Sequence, residues 1–415
     1  MKKILFAIWL AVTTLFMAPA SAKVMVGIDV LMTSEYDSLL RGKRVGLITN
    51  HTAVNGQMKS TISLLKAHAK SKGFTFQALF APEHGLTGDI HASESVGNSY
   101  DHENIPIYSL YGKTRRPTAE MLKDIDILVY DIQDIGSRSY TYSSTLFYAM
   151  EEAAKHHVPV VVLDRPNPIN GVTVDGPLME EKWRSIVGYI SVPYCHGMTI
   201  GELAKFFNEE YGIHCELTVV PMKGWKRSMT FQDTGLSWIP TSPHIPEAST
   251  VYYYPITGIL GELQVVNIGV GYTLPFKLVG APWIKAEEFA AKLNGQKYPG
   301  VHFQPFYYQP FYGRFAHEPC QGVLIVVTNP QTFKPVATQY LIIGMLKSLY
   351  PGKFQKALAD AHQQQKAMFC KVNGTEEVFR IIQESKYVVW KLREVHQKER
   401  EDFVAKRKKY LIPAY

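Results

Sequence analysis

Glu83 and His84 sit side by side in the run APEHGLTGD (Ala81–Asp89), immediately after an apolar segment. A Pro-Glu-His-Gly turn puts a carboxyl and an imidazole on a glycine-flexed loop. Cleavage of a glycosidic bond needs a carboxylic acid beside the leaving oxygen, and a glutamate in a partly apolar pocket can hold its proton near neutral pH. The same glutamate could instead cap the next helix or pair with an arginine. Residue type and position alone leave both readings open.

Three further segments carry chemistry-bearing side chains. Tyr130–Tyr142 reads YDIQDIGSRSYTY. Asp131 and Asp134 could supply a second carboxylate, orient sugar hydroxyls or bind a metal. Arg138 could pair with a substrate carboxylate, and Tyr140 and Tyr142 could form aromatic walls; an internal salt-bridge network of Asp131, Asp134 and Arg138 is the alternative. In Asp164–Gly171, DRPNPING, Arg165 and Asn167 are candidate ligand contacts on a turn that Pro and Asn would also build for structural reasons. His196 precedes Thr199 in CHGMT, and Asn50 follows the run RVGLIT; both are binding candidates. His84, His91 and Asp89 match no standard zinc spacing, so neither a metal nor an organic cofactor is expected. There is no GxSxG elbow and no glycine-rich phosphate loop.

These residues must be positioned by something, and the first half of the chain supplies it. Apolar runs at Arg44–Thr49, Phe76–Ala81, Ile105–Leu110, Asp126–Tyr130 and Val158–Leu163 predict strands. Helical patterns at Lys59–Lys70 and Ser143–His156 alternate with them. That alternation predicts an α/β fold with a Rossmann-like parallel sheet and helices on both faces. The polar clusters all fall just past strand C-termini, the edge where ligands bind in open α/β sheets. Further on, Thr199 and Glu202 form a capping-box pattern for a helix over Thr199–Tyr211. Glu216–Val220 and Val323–Thr328 read as strands, Ile239–Tyr254 as a long structured loop, and the chain from Lys353 as mostly helical. A junction near Asp175–Glu181 divides the mature chain into 23–178, the sheet domain, and 179–415, a second, smaller α/β domain.

The chain has 415 residues. Lys2 and Lys3, the apolar run Ile4 to Met17 and the small residues Ala20, Ser21 and Ala22 make residues 1–22 an expected signal peptide, so the mature protein is expected in the periplasm or the medium, without stable membrane insertion. Formal charge is +7, and loss of Lys2 and Lys3 with the leader lowers it to +5. No dense basic block meets exposed aromatics in the body of the chain, which argues against nucleic-acid partners; Lys406 to Lys409 reads as a solvated helix face. Cys195, Cys215, Cys320 and Cys370 are widely spaced, consistent with buried thiols or with one or two bridges.

Taken in order, APEHG, YDIQDIGSRSYTY, DRPNPING, GPLME (Gly176–Glu180) and HGMTIGE (His196–Glu202) resemble the exo-β-N-acetylmuramidase family. This is the NamZ-like group of glycoside hydrolases, long catalogued as a bacterial domain of unknown function. The resemblance continues through Trp225, GAPW (Gly280–Trp283), CQGV (Cys320–Val323) and Gly374–Thr375, and spans essentially the whole mature chain. It implies a Rossmann-like domain and a smaller α/β domain with the site in the cleft between them. It also implies release of non-reducing-end N-acetylmuramic acid (MurNAc) from β-1,4 linkage to N-acetylglucosamine (GlcNAc), with peptidoglycan fragments such as MurNAc-GlcNAc and muropeptides as partners. The family's PEHG glutamate falls on Glu83, and the lactyl carboxylate of muramic acid would be a partner for Arg138.

The chain also departs from the family pattern. Relatives usually carry YPGTxxFEGTN, whereas Tyr254–Gln264 reads YPITGILGELQ, as if one residue were inserted before the glutamate. Val270 in NIGVGYT stands where relatives often have Arg, and His51 replaces a small or polar residue. The expectation is therefore an exo-acting glycoside hydrolase with Glu83 as general acid and Asp131 or Asp134 as its partner. The contrasting expectation is a muropeptide-binding envelope protein that no longer cleaves.

Overall fold

The structure is a computed structural model that describes residues 23–36, 38–90, 94 and 97–415; the expected leader and His91 lie outside them. Seven strands form the first sheet: β1 (Arg44–Thr49), β2 (Thr75–Ala81), β3 (Ser99–Tyr100), β4 (Pro106–Ser109), β5 (Ile127–Asp131), β6 (Val160–Leu163) and β7 (Leu217–Val220), in the order β3-β4-β2-β1-β5-β6-β7. All neighbours are parallel except β3, which runs antiparallel to β4 at the edge.

The strands are apolar on both faces because both faces are covered. Val45, Leu47, Leu79, Val129 and Val161 pack with Ile28 and Val30 of helix Gly27–Leu31 and Leu65 of helix Thr61–Lys72. The alternate residues Ile48, Phe80, Leu128, Tyr130 and Val162 pack with Leu146 and Met150 of helix Thr141–Lys155 and Leu203 of helix Ile200–Glu210. This two-residue alternation between opposite cores is the pleat of a strand buried on both sides. Thr199 caps Ile200–Glu210 in a full capping box with Glu202.

The division at residue 178 does not follow the sheet. β7 lies beyond it and pairs in parallel with β6, from Val160 opposite Leu217 to Leu163 opposite Val220. The sheet domain therefore continues past the Asp175–Glu181 segment. A second, antiparallel sheet of three strands follows, in the order β8-β10-β9: β8 (Leu278–Ala281), β9 (Val301–Tyr308) and β10 (Cys320–Val327). Helices Ala286–Asn294 and Pro335–Leu349 accompany it, and five more helices run from Pro351 to Arg407. The segment Ile239–Tyr254 is a loop only at its start, because Thr250–Tyr253 is helical and Tyr254–Gly258 winds into a π-helix.

All four cysteines are free and buried. The basic tail is only partly a solvated face. Lys406 and Lys409 pair with Glu210 and Glu209, while Arg407 turns inward and donates to the carbonyls of His196 and Gly197. Among the described residues no helix is long and apolar enough to cross a membrane.

Candidate active site

A cleft of about 710 Å³ opens beyond the C-terminal ends of the strands, and both halves of the chain build it. The loop after β2 contributes Glu83 and His84, and the start of helix Thr141–Lys155 contributes Tyr140 and Thr141. Ser242 and His244 come from the following long loop, Tyr254, Glu262 and Phe276 from the segment around the π-helix, and Met368, Lys371 and Val372 from helix Gln363–Asn373.

The turn that carries Glu83 is tightly shaped. Gly85 N–H donates to the Pro82 carbonyl at 3.0 Å. His84 and Gly85 both adopt left-handed backbone, with φ of 69° and 78°. A non-glycine residue held there stores strain, which surrounding contacts must over-determine. His84 supplies one such contact by donating from Nδ1 to the Ile90 carbonyl at 2.7 Å. His51 supports the same loop. Its Nε2 donates to the Pro240 carbonyl at 2.6 Å, and its ring lies so close to Gly88 (φ 78°) that a Cβ there would fall 1.9 Å from a ring atom. Glu83 is buried, and its Oε2 accepts a hydrogen bond from Thr141 Oγ1 at 2.5 Å.

Glu262 is the other carboxyl that lines the cleft among the described residues, and the sequence shows it as displaced. A π-turn closes i→i+5 instead of i→i+4, so it takes up one residue more than an α-turn. The turn at Tyr254–Gly258 lies ahead of Glu262 and absorbs the extra residue of YPITGILGELQ, so the glutamate still faces the cleft. Burial pushes the Glu262 carboxyl up to about 7. Tyr254 lines the same cleft; its hydroxyl feels the charges of Glu262, Glu83 and Asp134 and lies 3.3 Å from Ser139 Oγ. The clue available in the sequence was the glutamate itself, one place late in an otherwise intact segment.

Several expected site residues belong to the framework instead. Asp131 is fully buried and ion-paired with Arg165, with Thr61 Oγ1 donating to the same carboxylate. Arg165 is thereby consumed, and also donates to the Val54 carbonyl at 3.0 Å. Arg138 donates to four carbonyls, those of Pro177, Val192, Val372 and Asn373, so it ties the sheet domain to helix Gln363–Asn373 and presents no free fork to a ligand. Tyr142 is enclosed, with its hydroxyl on the Thr241 carbonyl at 2.6 Å; Tyr140 alone of the pair lines the cleft.

Three of the remaining four polar candidates are local braces. Asn50 Oδ1 accepts from Thr52 N–H and Oγ1. Asn167 bridges Ile169 N–H and the Met198 carbonyl. His196 Nδ1 accepts from Met198 N–H at 3.2 Å, and burial, with help from Arg407 and Arg138, lowers its pKa to about 3, so it stays neutral. The fourth, Asp134, is buried and is not among the residues that line the cleft. Its Oδ2 accepts from Gly136 N–H at 2.7 Å, its Oδ1 is buried without a protein partner, and burial raises its pKa to about 7. Among the described residues, no group of three or more His, Cys, Asp or Glu side chains is arranged to hold a metal ion.

With this geometry in place, the likeness to known proteins is specific. The family model for the N-terminal part of exo-β-N-acetylmuramidase NamZ matches residues 45–249, and the model for its C-terminal part matches residues 252–412. The two models meet close to the start of helix Thr250–Tyr253, beyond β7. A peptidoglycan β-N-acetylmuramidase NamZ from Bacillus subtilis (strain 168) is 45% identical over 334 residues, covering 80% of this chain and 80% of that protein. A crystal structure of a DUF1343 family protein from Bacteroides fragilis NCTC 9343 superposes with a TM-score of 0.87 at 42% identity, over 94% of this chain and 99% of that one. A second DUF1343 family protein from the same strain gives 0.70 at 27% identity, with the same coverage. The chain belongs to the exo-β-N-acetylmuramidase NamZ family.

Proposed function

We propose that the protein is an exo-acting glycoside hydrolase that releases N-acetylmuramic acid from the non-reducing end of peptidoglycan-derived glycans. The observation that carries this reading is the pair of carboxyl groups, Glu83 and Glu262, in one cleft of a chain with this family membership. Canonical glycoside hydrolysis uses two carboxyls, one to protonate the leaving oxygen and one to work at the anomeric carbon. Glu262, largely enclosed and pushed up to about 7, keeps its proton near neutral pH and suits the first task. Glu83, aimed by Thr141 Oγ1 and by the strained Pro82–Gly85 turn, takes the second, activating water or attacking directly. This reverses the division expected from sequence, in which Glu83 was the acid. Tyr140 and Tyr254 offer aromatic and hydroxyl contacts to the bound sugar.

The natural substrates in this reading are MurNAc-GlcNAc and larger muropeptides, met outside the cytoplasm. The basic n-region, apolar run and small-residue cleavage site of residues 1–22 support export. The departures at Tyr254–Thr273 motivated a binding-only alternative, yet Tyr254 and Glu262 of that segment both line the cleft.

A chromogenic β-N-acetylmuramide separates the two readings. The mature protein should release the chromophore, and a chelator should leave the rate unchanged. Binding of the glycoside without any release would overturn the hydrolase reading, and loss of activity in chelator would overturn its metal-free chemistry.

A further inference from the structure

Two cationic side chains line the cleft without a part in the acid–base chemistry. Arg115 stands on the loop between β4 and helix Ala119–Leu122, and Lys371 lies on helix Gln363–Asn373, on the same face as Met368 and Val372. Other arginines near the cleft are spoken for. Arg165 is paired with Asp131, Arg116 with Glu151, and Arg138 is spent on backbone carbonyls. Arg115 and Lys371 have no carboxylate partner among the described residues.

The guanidinium of Arg115 lies over the Tyr111 ring, 5.2 Å from its centroid, which holds it at the wall and leaves its N–H edge available. Burial is what raises the Glu262 carboxyl, with no contribution from an opposite charge. The cleft thus holds two carboxyls and, from two distant stretches of chain, two cations without a carboxylate partner among the described residues.

We propose that Arg115 and Lys371 form an anion subsite that takes the carboxylate of an acidic substituent on O3 of the sugar held beside Glu83. The pair thereby selects carboxylate-bearing amino sugars over neutral ones. This rests on the glycan reading of the cleft. It also replaces Arg138 in the role of carboxylate partner, because a guanidinium committed to four carbonyls cannot turn to a ligand. Arg115 supplies a planar fork that matches a carboxylate, and Lys371 a point charge from helix Gln363–Asn373. A free lactyl carboxylate fits this site. An amide or ester at the same position removes the charge while leaving the sugar intact.

The test measures kcat/KM on two chromogenic β-glycosides, N-acetylmuramic acid and its lactyl methyl ester, for the wild type, Arg115→Gln, Lys371→Met and the double variant. The wild type should prefer the free acid, and added salt should weaken that preference. The acid-to-ester ratio should fall roughly 10-fold in each single variant and roughly 100-fold in the double variant, in line with charge-assisted pairing. An unchanged ratio in the double variant would overturn the subsite. If the wild type cleaves neither glycoside, the hydrolase reading fails instead, and calorimetric binding of free N-acetylmuramic acid then decides the subsite. Weaker binding by the double variant supports it, and equal binding overturns it.

Discussion

Arg165 grips Asp131 in a buried, two-pronged ion pair, with Nε on Oδ1 at 2.5 Å and Nη2 on Oδ2 at 3.0 Å. Asp131 ends β5 and Arg165 follows β6, so the pair stitches the two neighbouring strands at their C-terminal edge. Both carboxylate oxygens are occupied, and nothing remains to offer a substrate. Asp131→Asn should therefore act on stability. Breaking one partner of a buried pair costs about 3–5 kcal/mol because the other charge is left uncompensated. Urea unfolding should show a loss of that size, with kcat of the folded fraction close to wild type. A variant of wild-type stability that had lost its activity would return Asp131 to the reaction.

The pH dependence follows from which carboxyl keeps its proton. Glu262 is raised to about 7, so its protonated form declines as pH rises through that value. Activity should fall along the same limb, and Glu262→Gln should abolish turnover. Stability should move in the same direction. Glu262, Asp134 and Asp164 all have folded-state values near 7 set mainly by burial, above the ordinary carboxyl range. Between about pH 4 and pH 7 these three carboxyls bind more protons in the folded state than in the unfolded chain, and they outnumber His196, which acts in the opposite sense, so stability drops as pH climbs through that window. Thermal melts from pH 4.5 to 8 should show the decline, and Glu262→Gln should flatten part of it.

The π-turn makes its own prediction. Deleting Gly258 removes the extra residue and should convert Tyr254–Gly258 to ordinary α-helix, and because the π-turn takes up that one residue, Glu262 should still face the cleft. The expected outcome is a folded protein with kcat/KM within a few-fold of wild type. A loss of ~100-fold or more, the scale of losing one acid–base group, would show that the turn does not absorb the insertion.

The parallel sheet was legible in the sequence because strands buried on both faces must be continuously apolar. The Thr199–Glu202 capping box was legible because it is a local pattern. That Glu83 would sit at the strand-end rim was legible from its turn after β2. The roles of Asp131, Arg138, Arg165 and His196 were not, because a polar residue past a strand end looks the same whether it faces a ligand or a buried carbonyl. Only the three-dimensional partner decides, and for Arg138 two of its four acceptors lie more than 230 positions away in the chain. The extent of the sheet domain was misread for a related reason: β7 is short and half-buried, and comes after a long connection from β6. Glu262 was hidden by an insertion whose consequence is a backbone winding, which side-chain patterns do not announce.

If Glu83 and Glu262 share the chemistry of one cleft, product analysis of MurNAc-GlcNAc digests shows it directly. Wild-type protein should yield free N-acetylmuramic acid and N-acetylglucosamine, while Glu83→Gln and Glu262→Gln, each retaining the wild-type melting profile near pH 5, should release neither above roughly one part in a hundred. Release at the wild-type rate by either variant would show that the substituted glutamate takes no part in the reaction.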